Sequence, residues 1–223
     1  MNDERPVDAV LFDLDGTLVD SLPTIALAMR DALRLYGIEK DVEEIYPLIG
    51  PPIEIMAQQL GASVEVGNRI GDEYRRVYDS TYIHQTPPCA GAAALLDALD
   101  AAGVPYGIVT NKIERQGRLM LEVMGWTERV SVVLGRDSAG AIAKPDPEAA
   151  LIALRSLDGS PERAAFVGDT EFDMRCGHNA GLALVIGVTG ARTREQLIAE
   201  GATHVVDSLL DVAPLVLGVG VTP

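Results

Sequence analysis

Apolar residues along the chain follow two patterns. Short apolar runs, too short for helices, predict strands buried on both faces of a parallel sheet, and the first comprises residues 9–12 and Leu14. Longer segments carry apolar residues at steps of three and four, as on one face of an amphipathic helix, and the first of these covers residues 22–36. The sequence therefore predicts a fold of the α/β class.

The order of these segments predicts an interrupted sheet. Three helical segments follow the first strand with no strand signal between them, at residues 22–36, 52–60 and 63–79. Two consecutive prolines at 87 and 88 then exclude regular helix or central strand. Beyond them helices and strands alternate, which specifies a parallel sheet. The later strands are predicted at residues 106–109, 130–134, 164–167, 183–186 and 204–206.

This order divides the chain into two parts. We expect a doubly wound, Rossmann-like parallel sheet core formed by residues 1–17 and 87–223, with an inserted all-helical cap domain at residues 18–86. The insert is consistent with an ordinary helical subdomain that covers core surface. It is also consistent with a mobile lid, hinged at residues 18–21 and 85–88, that closes over the end of the first strand and excludes water.

Composition and charge limit the classes of binding partner and the cellular location that the sequence predicts. The 223 residues include 33 acidic and 18 basic side chains, a net charge of −15, which argues against nucleic acid or an anionic membrane surface as a partner. The first residues lack the apolar core of a secretory signal, and no apolar run is long enough to span a bilayer, so a cytoplasmic location is expected. Cys89 and Cys176 lie far apart, which makes a disulfide framework unexpected. The oligomeric state stays open.

Two carboxylates follow the first predicted strand directly. Asp13 and Asp15 stand at its carboxyl end, where open α/β sheets place their ligands, and Gly16 lets the backbone turn at once. A lone Asp-x-Asp is as consistent with a solvated turn as with a catalytic pair. In a catalytic pair, one carboxylate attacks while the other handles protons.

Further polar groups follow the later strands. Thr110 and Asn111 come after residues 106–109 and offer a hydroxyl and backbone N–H groups to a phosphoryl oxygen, although such a pair alone is more typical of a turn or helix cap. Lys144 precedes a proline and carries little signal by itself. Asp169 and Asp173 stand four residues apart at the start of a predicted helix, so both carboxylates can face one cation.

Counting charges indicates a cation at this edge of the sheet. Asp13, Asp15, Asp169 and Asp173 around one spot would repel one another unless a hard cation or a lysine offsets them. Oxygen ligands with room for water and a phosphate group suit Mg²⁺. The sequence therefore predicts Mg²⁺ as the cofactor.

The string Asp-x-Asp-Gly-Thr at residues 13–17, followed in order by Thr110, Lys144 and the pair Asp169 and Asp173, resembles the four motifs of the haloacid dehalogenase superfamily. The resemblance implies a phosphoryl-accepting nucleophile at Asp13 and a general acid/base at Asp15. It implies that Mg²⁺ binds the side chains of Asp13 and Asp169 and the backbone carbonyl of Asp15, with Asp173 binding the ion or orienting a metal-bound water. It assigns Thr110 and Lys144, with Asn111 beside them, to the transferring phosphoryl group.

The same resemblance indicates which branch of the family, and so which reaction, the chain is expected to represent. An acid at position 15 is typical of the phosphatase and phosphomutase branches, and the family carries caps inserted at the position of residues 18–86, which favours the lid. The segment around Gly50 and the Thr110-Asn111-Lys112 string look most like phosphoglycolate-phosphatase-type members. The expected activity is Mg²⁺-dependent hydrolysis of a small phosphate ester. The candidate substrate contacts in the cap are Gly50, Arg69, Arg75 and Arg76, although a solvated helix face explains these arginines equally well.

Two other functions stay open. A sugar phosphomutase of the β-phosphoglucomutase type would use the same residues with a cap that admits a second sugar phosphate in place of water. A receiver domain of a signalling protein also uses a phosphoacceptor Asp on a doubly wound sheet, but the helical insert and Asp15 argue against it. A dinucleotide site is excluded because the chain lacks Gly-x-Gly-x-x-Gly after the first strand.

Overall fold

The computed structural model describes residues 5–218; residues 1–4 and 219–223, which the sequence assigns to the core, lie outside the described residues. The centre is a six-stranded, all-parallel sheet with the strand order β3-β2-β1-β4-β5-β6. The strands are β1 Ala9–Phe12, β2 Tyr106–Val109, β3 Val132–Leu134, β4 Ala164–Gly168, β5 Leu184–Val188 and β6 His204–Val206. The predicted doubly wound parallel sheet is confirmed.

The sheet runs outward from β1 in both directions, so β1 lies where the strand order reverses. In such sheets the loops at the carboxyl ends of the two central strands diverge and leave a crevice for a ligand. The neighbours of β1 are β2, with Phe12 opposite Ile108, and β4, with Phe12 opposite Val167. The residues that follow these three strands therefore meet at one edge of the sheet.

The described part of the chain contains ten α-helices. They are α1 Leu22–Arg34, α2 Val42–Ile45, α3 Ile53–Gln59, α4 Val64–Val77, α5 Ala92–Ala102, α6 Glu114–Met124, α7 Glu148–Ser156, α8 Glu171–Asn179, α9 Arg194–Ala199 and α10 Val212–Leu217 within residues 5–218. Beyond α4 the chain continues through a π-helical turn, Tyr78–Tyr82, and a 3-10 turn, Ile83–Gln85. None of the described helices is both long and apolar enough to cross a membrane.

The hydrophobic core lies on both faces of the sheet. Successive side chains of a strand point to opposite faces, so Val10 and Phe12 pack on one side and Ala9 and Leu11 on the other. The first side carries apolar residues of α5, α6 and α10, and the second those of α7, α8 and α9. The apolar runs in the sequence therefore mark strands covered on both faces.

Residues 22–85, hereafter the helical segment, contain helices and turns but no strand. The buried face of α1, which includes Met29 and Leu33, packs against α4 and joins the core on the first side of the sheet. Helices α3 and α4 approach closely because Gly71 has no side chain; a Cβ there would lie 3.0 Å from Oε1 of Glu54. The chain enters and leaves the helical segment at adjacent positions. Val19, before the segment, forms an antiparallel bridge with Pro88, after it.

Candidate active site

Three carboxylates from distant parts of the chain meet beyond the carboxyl ends of β1 and β4. Asp13 follows β1, Asp169 follows β4, and Asp173 lies in the first turn of α8. One oxygen of each lies within 4.8 Å of the others, and the three side chains are buried. Because β1 and β4 are adjacent and parallel, the residues that leave them are brought side by side.

Lys144 lies among these acids. Its Nζ is 2.7 Å from Oδ1 of Asp13 and 2.6 Å from Oδ1 of Asp173. Burial alone would lower the pKa of Lys144, but the two carboxylates outweigh burial and raise this pKa above its ordinary value, so the lysine is charged. Burial and the charge of Asp173 raise the pKa of Asp13 to about 7, against the opposing effect of Lys144. Burial and the neighbouring acids likewise raise the pKa of Asp169.

Hydrogen bonds fix the orientation of the acids. Thr17 Oγ1 donates to Oδ1 of Asp169 at 2.9 Å. The backbone N–H and the hydroxyl of Thr170 donate to Oδ2 of Asp173, at 2.9 and 2.7 Å, and so join the start of α8 to the site. A carboxylate held in this way presents its remaining lone pairs in a fixed direction.

The cluster fits a hard divalent cation. Oδ2 of Asp169 is buried and has no hydrogen-bond partner among the described residues, which is rare for a carboxylate oxygen. Gly16, whose φ is +82°, leaves space beside this oxygen because it has no side chain. A Cβ at position 16 would lie 2.3 Å from Oδ2 of Asp169. All the side-chain donors are carboxylate oxygens, the ligands that Mg²⁺ and Ca²⁺ prefer. Asp13, Asp169 and Asp173 are therefore the residues that can hold a metal ion.

Asp15 is not a member of this three-carboxylate cluster. Ser21 Oγ donates to its Oδ1 at 2.7 Å, and Nζ of Lys112 lies 3.2 Å from its Oδ2. The sequence predicted four carboxylates around one ion. In the structure three of them lie together, and the fourth, Asp15, forms an ion pair with Lys112. Ser21 occupies the N-cap position of α1, but its side chain makes no cap hydrogen bond because it binds Asp15.

Lys112 is a site residue that the sequence did not single out. Its side chain is buried, and its Nζ lies 4.4 Å from the centre of the Tyr78 ring, which belongs to the helical segment. Burial alone would lower the pKa of Lys112, but Asp15 more than offsets burial and raises it. Most lysines are solvated, so only the packing of the helical segment over this position distinguishes Lys112.

Thr110 and Asn111 hold the loops of the site together. The side-chain amide of Asn111 donates to the carbonyls of Gly50 and Lys144, at 3.1 and 3.3 Å, while its Oδ1 accepts from the backbone N–H of Lys144 at 2.8 Å. The hydroxyl of Thr110 accepts from the backbone N–H of Lys112 at 3.2 Å. Both residues also line the pocket described next.

A pocket between the sheet edge and the helical segment contains Asp13 and Asp15. Of the predicted cap contacts, Gly50 and Arg75 line this pocket. Arg69 and Arg76 do not line it; they lie on the exposed face of α4, where they pair with Glu65 and Glu73. Successive residues of an α-helix are about 100° apart, so Arg75 and Arg76 point in different directions, and the sequence does not show which of them faces the core. The pocket also contains Tyr74 and Arg136, which no motif or spacing in the sequence indicates.

Comparison with known proteins agrees with this geometry. The sequence model of the family described as "Haloacid dehalogenase-like hydrolase" matches residues 10–187. A phosphoglycolate phosphatase of Xylella fastidiosa (strain 9a5c) is 34% identical over 191 residues, which cover 83% of this chain and 82% of the relative. An N-acetylmuramic acid 6-phosphate phosphatase of Pseudomonas aeruginosa is 34% identical over 179 residues, 78% of each chain. The crystal structure of a predicted phosphatase from Clostridium acetobutylicum superposes with a TM-score of 0.85 at 25% identity and covers 96% of this chain and 99% of that one.

Proposed function

This chain belongs to the haloacid dehalogenase-like hydrolase family and is a phosphatase of that family, and we propose that it hydrolyses a small phosphate monoester through an aspartyl phosphate formed on Asp13. The observation that carries the proposal is the position of Asp13, which lines the pocket and at the same time contacts Lys144 and the buried acids. A nucleophile needs an open side for the substrate and fixed positive charge beside it, and Asp13 has both.

In the first step, Oδ of Asp13 attacks phosphorus and the bond from phosphorus to the ester oxygen breaks. Asp15 donates a proton to the departing alkoxide. Lys144 and the hydroxyl of Thr110 offset negative charge on the other phosphoryl oxygens. The structure supports these roles because Lys144 is charged and buried beside Asp13.

In the second step, Asp15 takes a proton from water, the water oxygen attacks phosphorus, and the bond from phosphorus to Asp13 breaks. Inorganic phosphate leaves and Asp13 is regenerated. Ser21 and Lys112 hold the carboxylate of Asp15 from both sides, which supports its role as the proton carrier. Mg²⁺, held by Asp13, Asp169 and Asp173 and, as the family resemblance implies, by the carbonyl of Asp15, would supply positive charge that offsets the charge of the phosphoryl oxygens.

We also propose that residues 18–86 form a cap domain on a core of residues 1–17 and 87–223. Contacts between the two parts support a lid: Asp79 accepts hydrogen bonds from Arg115 and Gln116 of α6, and Gly50 accepts one from Asn111. The bridge between Val19 and Pro88 brings the two chain crossings side by side, and we propose residues 18–21 and 85–88 as the hinges. The cytoplasmic location predicted from the sequence stays a prediction.

A screen of phosphate esters tests the proposal. The purified protein is incubated with small acids, sugars and nucleotides that carry one phosphate group, with and without Mg²⁺, and inorganic phosphate is measured. We expect release from at least one ester that requires Mg²⁺ and that Asp13→Asn abolishes while folding stays intact. Conversion of one sugar phosphate into another with little phosphate release would indicate a mutase. A long-lived phosphoprotein that turns over no ester would indicate a receiver-like protein.

A further inference from the structure

The carboxylate of Asp15, the proposed proton carrier, has one partner on each oxygen. Ser21 Oγ lies 2.7 Å from Oδ1, and Nζ of Lys112 lies 3.2 Å from Oδ2. A proton donor acts only when it is oriented toward the atom that receives the proton. Ser21 has a short side chain, whereas Lys112 reaches Asp15 with a long one. The position of Nζ therefore decides whether the second contact is kept.

The backbone of Lys112 is fixed by the core. Its N–H donates to the hydroxyl of Thr110 at 3.2 Å, and its carbonyl accepts from the backbone N–H of Arg136 at 3.1 Å. These bonds fix where the side chain begins. They do not fix the ammonium group, because a flexible four-carbon stem separates it from the backbone. The end of this lysine needs a further contact if it is to stay beside one carboxylate oxygen.

The ring of Tyr78 supplies such a contact. Nζ of Lys112 lies 4.4 Å from the ring centre, within the range in which the negative face of an aromatic ring attracts a cation. Tyr78 has no exposed surface, and the side chain of Lys112 is 4% exposed. The attraction is strongest where water is excluded. The ammonium group is therefore held between an aromatic ring and a carboxylate.

The plane of this ring is itself held in place. Tyr74 of α4 stacks on it, with the ring centres 5.4 Å apart and an angle of 17° between the planes. The carboxylate of Asp79, the next residue along the chain, accepts hydrogen bonds from Arg115 and Gln116 in the first turn of α6. These bonds anchor the π-helical turn to the core, a few residues beyond Lys112.

We propose that Tyr78 is a positioning residue for proton transfer, whose ring holds Nζ of Lys112 against Asp15 and so keeps the carboxyl group oriented toward the ester oxygen. The inference rests on the proposed function, since it concerns the step in which the proton of Asp15 moves to the ester oxygen as the bond from that oxygen to phosphorus breaks. Tyr78 is not among the described residues that line the pocket, so its effect passes through Lys112.

Variants that keep the shape of the ring separate this role from packing. Tyr78→Phe keeps the aromatic face, and Tyr78→Leu removes it. A trifluorinated phenylalanine at position 78 has nearly the shape of phenylalanine but a weaker negative face, so it weakens the attraction for a cation. The control is Tyr82→Leu, which removes a ring of the same turn whose hydroxyl contacts Asp31 of α1. Thermal unfolding verifies that each variant is folded.

Two substrates report the proton transfer. The esters of the screen release an alkoxide, which needs a proton as it leaves, whereas p-nitrophenyl phosphate releases a stable phenolate that needs none. The value of kcat/KM reflects the steps up to transfer of the phosphoryl group to Asp13. The ratio of the two kcat/KM values therefore measures what Asp15 contributes as an acid. The second step is common to both substrates and does not enter this ratio.

We expect kcat/KM for the most active ester of the screen to fall by about tenfold or more in Tyr78→Leu, a part of the roughly 10²–10⁴-fold that a positioned acid contributes. The fluorinated variant loses about threefold or more, and Tyr78→Phe less than about twofold. For p-nitrophenyl phosphate all three change by less than about twofold, and Tyr82→Leu keeps the wild-type ratio. Equal losses on both substrates, or equal losses in Tyr78→Phe and the fluorinated variant, would overturn the proposal.

Lys112→Met tests whether the ring acts through the lysine. In this background the fluorinated ring is expected to have no further effect on kcat/KM for the same ester, because the cation that the ring holds has been removed. A loss of the same size with and without Lys112 would overturn the proposal, since the ring would then act by another route. This comparison needs only one ester, so it decides the question even when the wild type does not hydrolyse p-nitrophenyl phosphate.

The same measurements separate the two levels of the proposal. Hydrolysis by the wild type, with ring variants that match it on every substrate, overturns the role of Tyr78 and leaves the proposed function in place. Failure of the wild type to release phosphate from p-nitrophenyl phosphate and from every ester of the screen overturns the proposed function, and the role of Tyr78 with it.

Discussion

Nζ of Lys144 lies 2.7 Å from Oδ1 of Asp13, and both side chains are buried. The same nitrogen is 2.6 Å from Asp173. When Asp13, Asp169 and Asp173 are all ionised, their three negative charges less the one positive charge of Lys144 leave two negative charges. A divalent cation offsets this remainder, so the lysine and the metal ion have complementary roles at one site.

Lys144→Met removes the cation from among the acids. We expect kcat to fall by about 10³-fold or more, because the variant loses fixed positive charge beside the phosphoryl group. The metal-free variant is also expected to lose about 3–5 kcal/mol of unfolding free energy at pH 8, since the acids are left without their partner. Lys40→Met, which breaks only an exposed pair with Glu44, is the control. A kcat within tenfold of the wild type would contradict this role.

The pKa of Asp13 makes the stability of the metal-free protein depend on pH. Its pKa is about 7 in the folded protein against 3.8 ordinarily, so the unfolded chain releases this proton at lower pH. Stability is therefore lost as pH rises from about 4 to about 7. Asp13→Asn removes the titrating group, and we expect it to raise Tm by a few degrees at pH 8 in EDTA and to have little effect at pH 4. A lower Tm for the variant than for the wild type at pH 8 would contradict the prediction that ionised Asp13 destabilises the metal-free protein.

Gly16→Ala separates backbone strain from damage to the metal site. The new Cβ would lie 2.3 Å from Oδ2 of Asp169, whereas a Cβ at Gly37, whose φ of +71° is similar, meets nothing within 4 Å. Both Ala variants are expected to lose about 1 kcal/mol of stability from the left-handed backbone. Only Gly16→Ala should also lose most of the rise in Tm that Mg²⁺ produces. Equal Mg²⁺ responses in the two variants would show that Asp169 does not hold the ion.

The cysteines are expected to be unreactive in the folded protein. Burial raises the pKa of the Cys89 and Cys176 thiols to about 12, so the reactive thiolate is scarce at pH 8. A disulfide-exchange reagent should label neither residue within minutes at pH 8 and both after denaturation. Rapid labelling of the native protein would contradict the raised pKa values of the two thiols.

The positions of Asp13 and Asp169 follow from strand order alone, whereas Lys144 was identified only through the family resemblance. Asp13 and Asp169 directly follow apolar runs, and the carboxyl ends of parallel strands share one edge, so their meeting was predictable. Strand β3 begins two residues later than predicted, because the backbone N–H of Val130 bonds to Trp126 in the preceding turn. Helix α2 was missed because its four residues carry no periodic pattern.

Other site residues depend on packing between the two parts of the chain. Lys112 becomes a partner of Asp15 only because Tyr78 of the helical segment covers it. Arg136 reaches Glu54 across 82 positions of sequence, and nothing in the loop after β3 indicates this contact. Sequence periodicity describes the faces of single elements, whereas these pairs arise where two faces meet.

The central claim is that Asp13 carries the phosphoryl group during turnover. The most direct measurement quenches the enzyme in acid during hydrolysis of a ³²P-labelled ester that it turns over, digests it and maps the label. We predict label on the peptide that contains Asp13, a longer lifetime of that label in Asp15→Asn, and none in Asp13→Asn. Turnover by the wild type with no labelled peptide, or with label on another residue, would contradict the account.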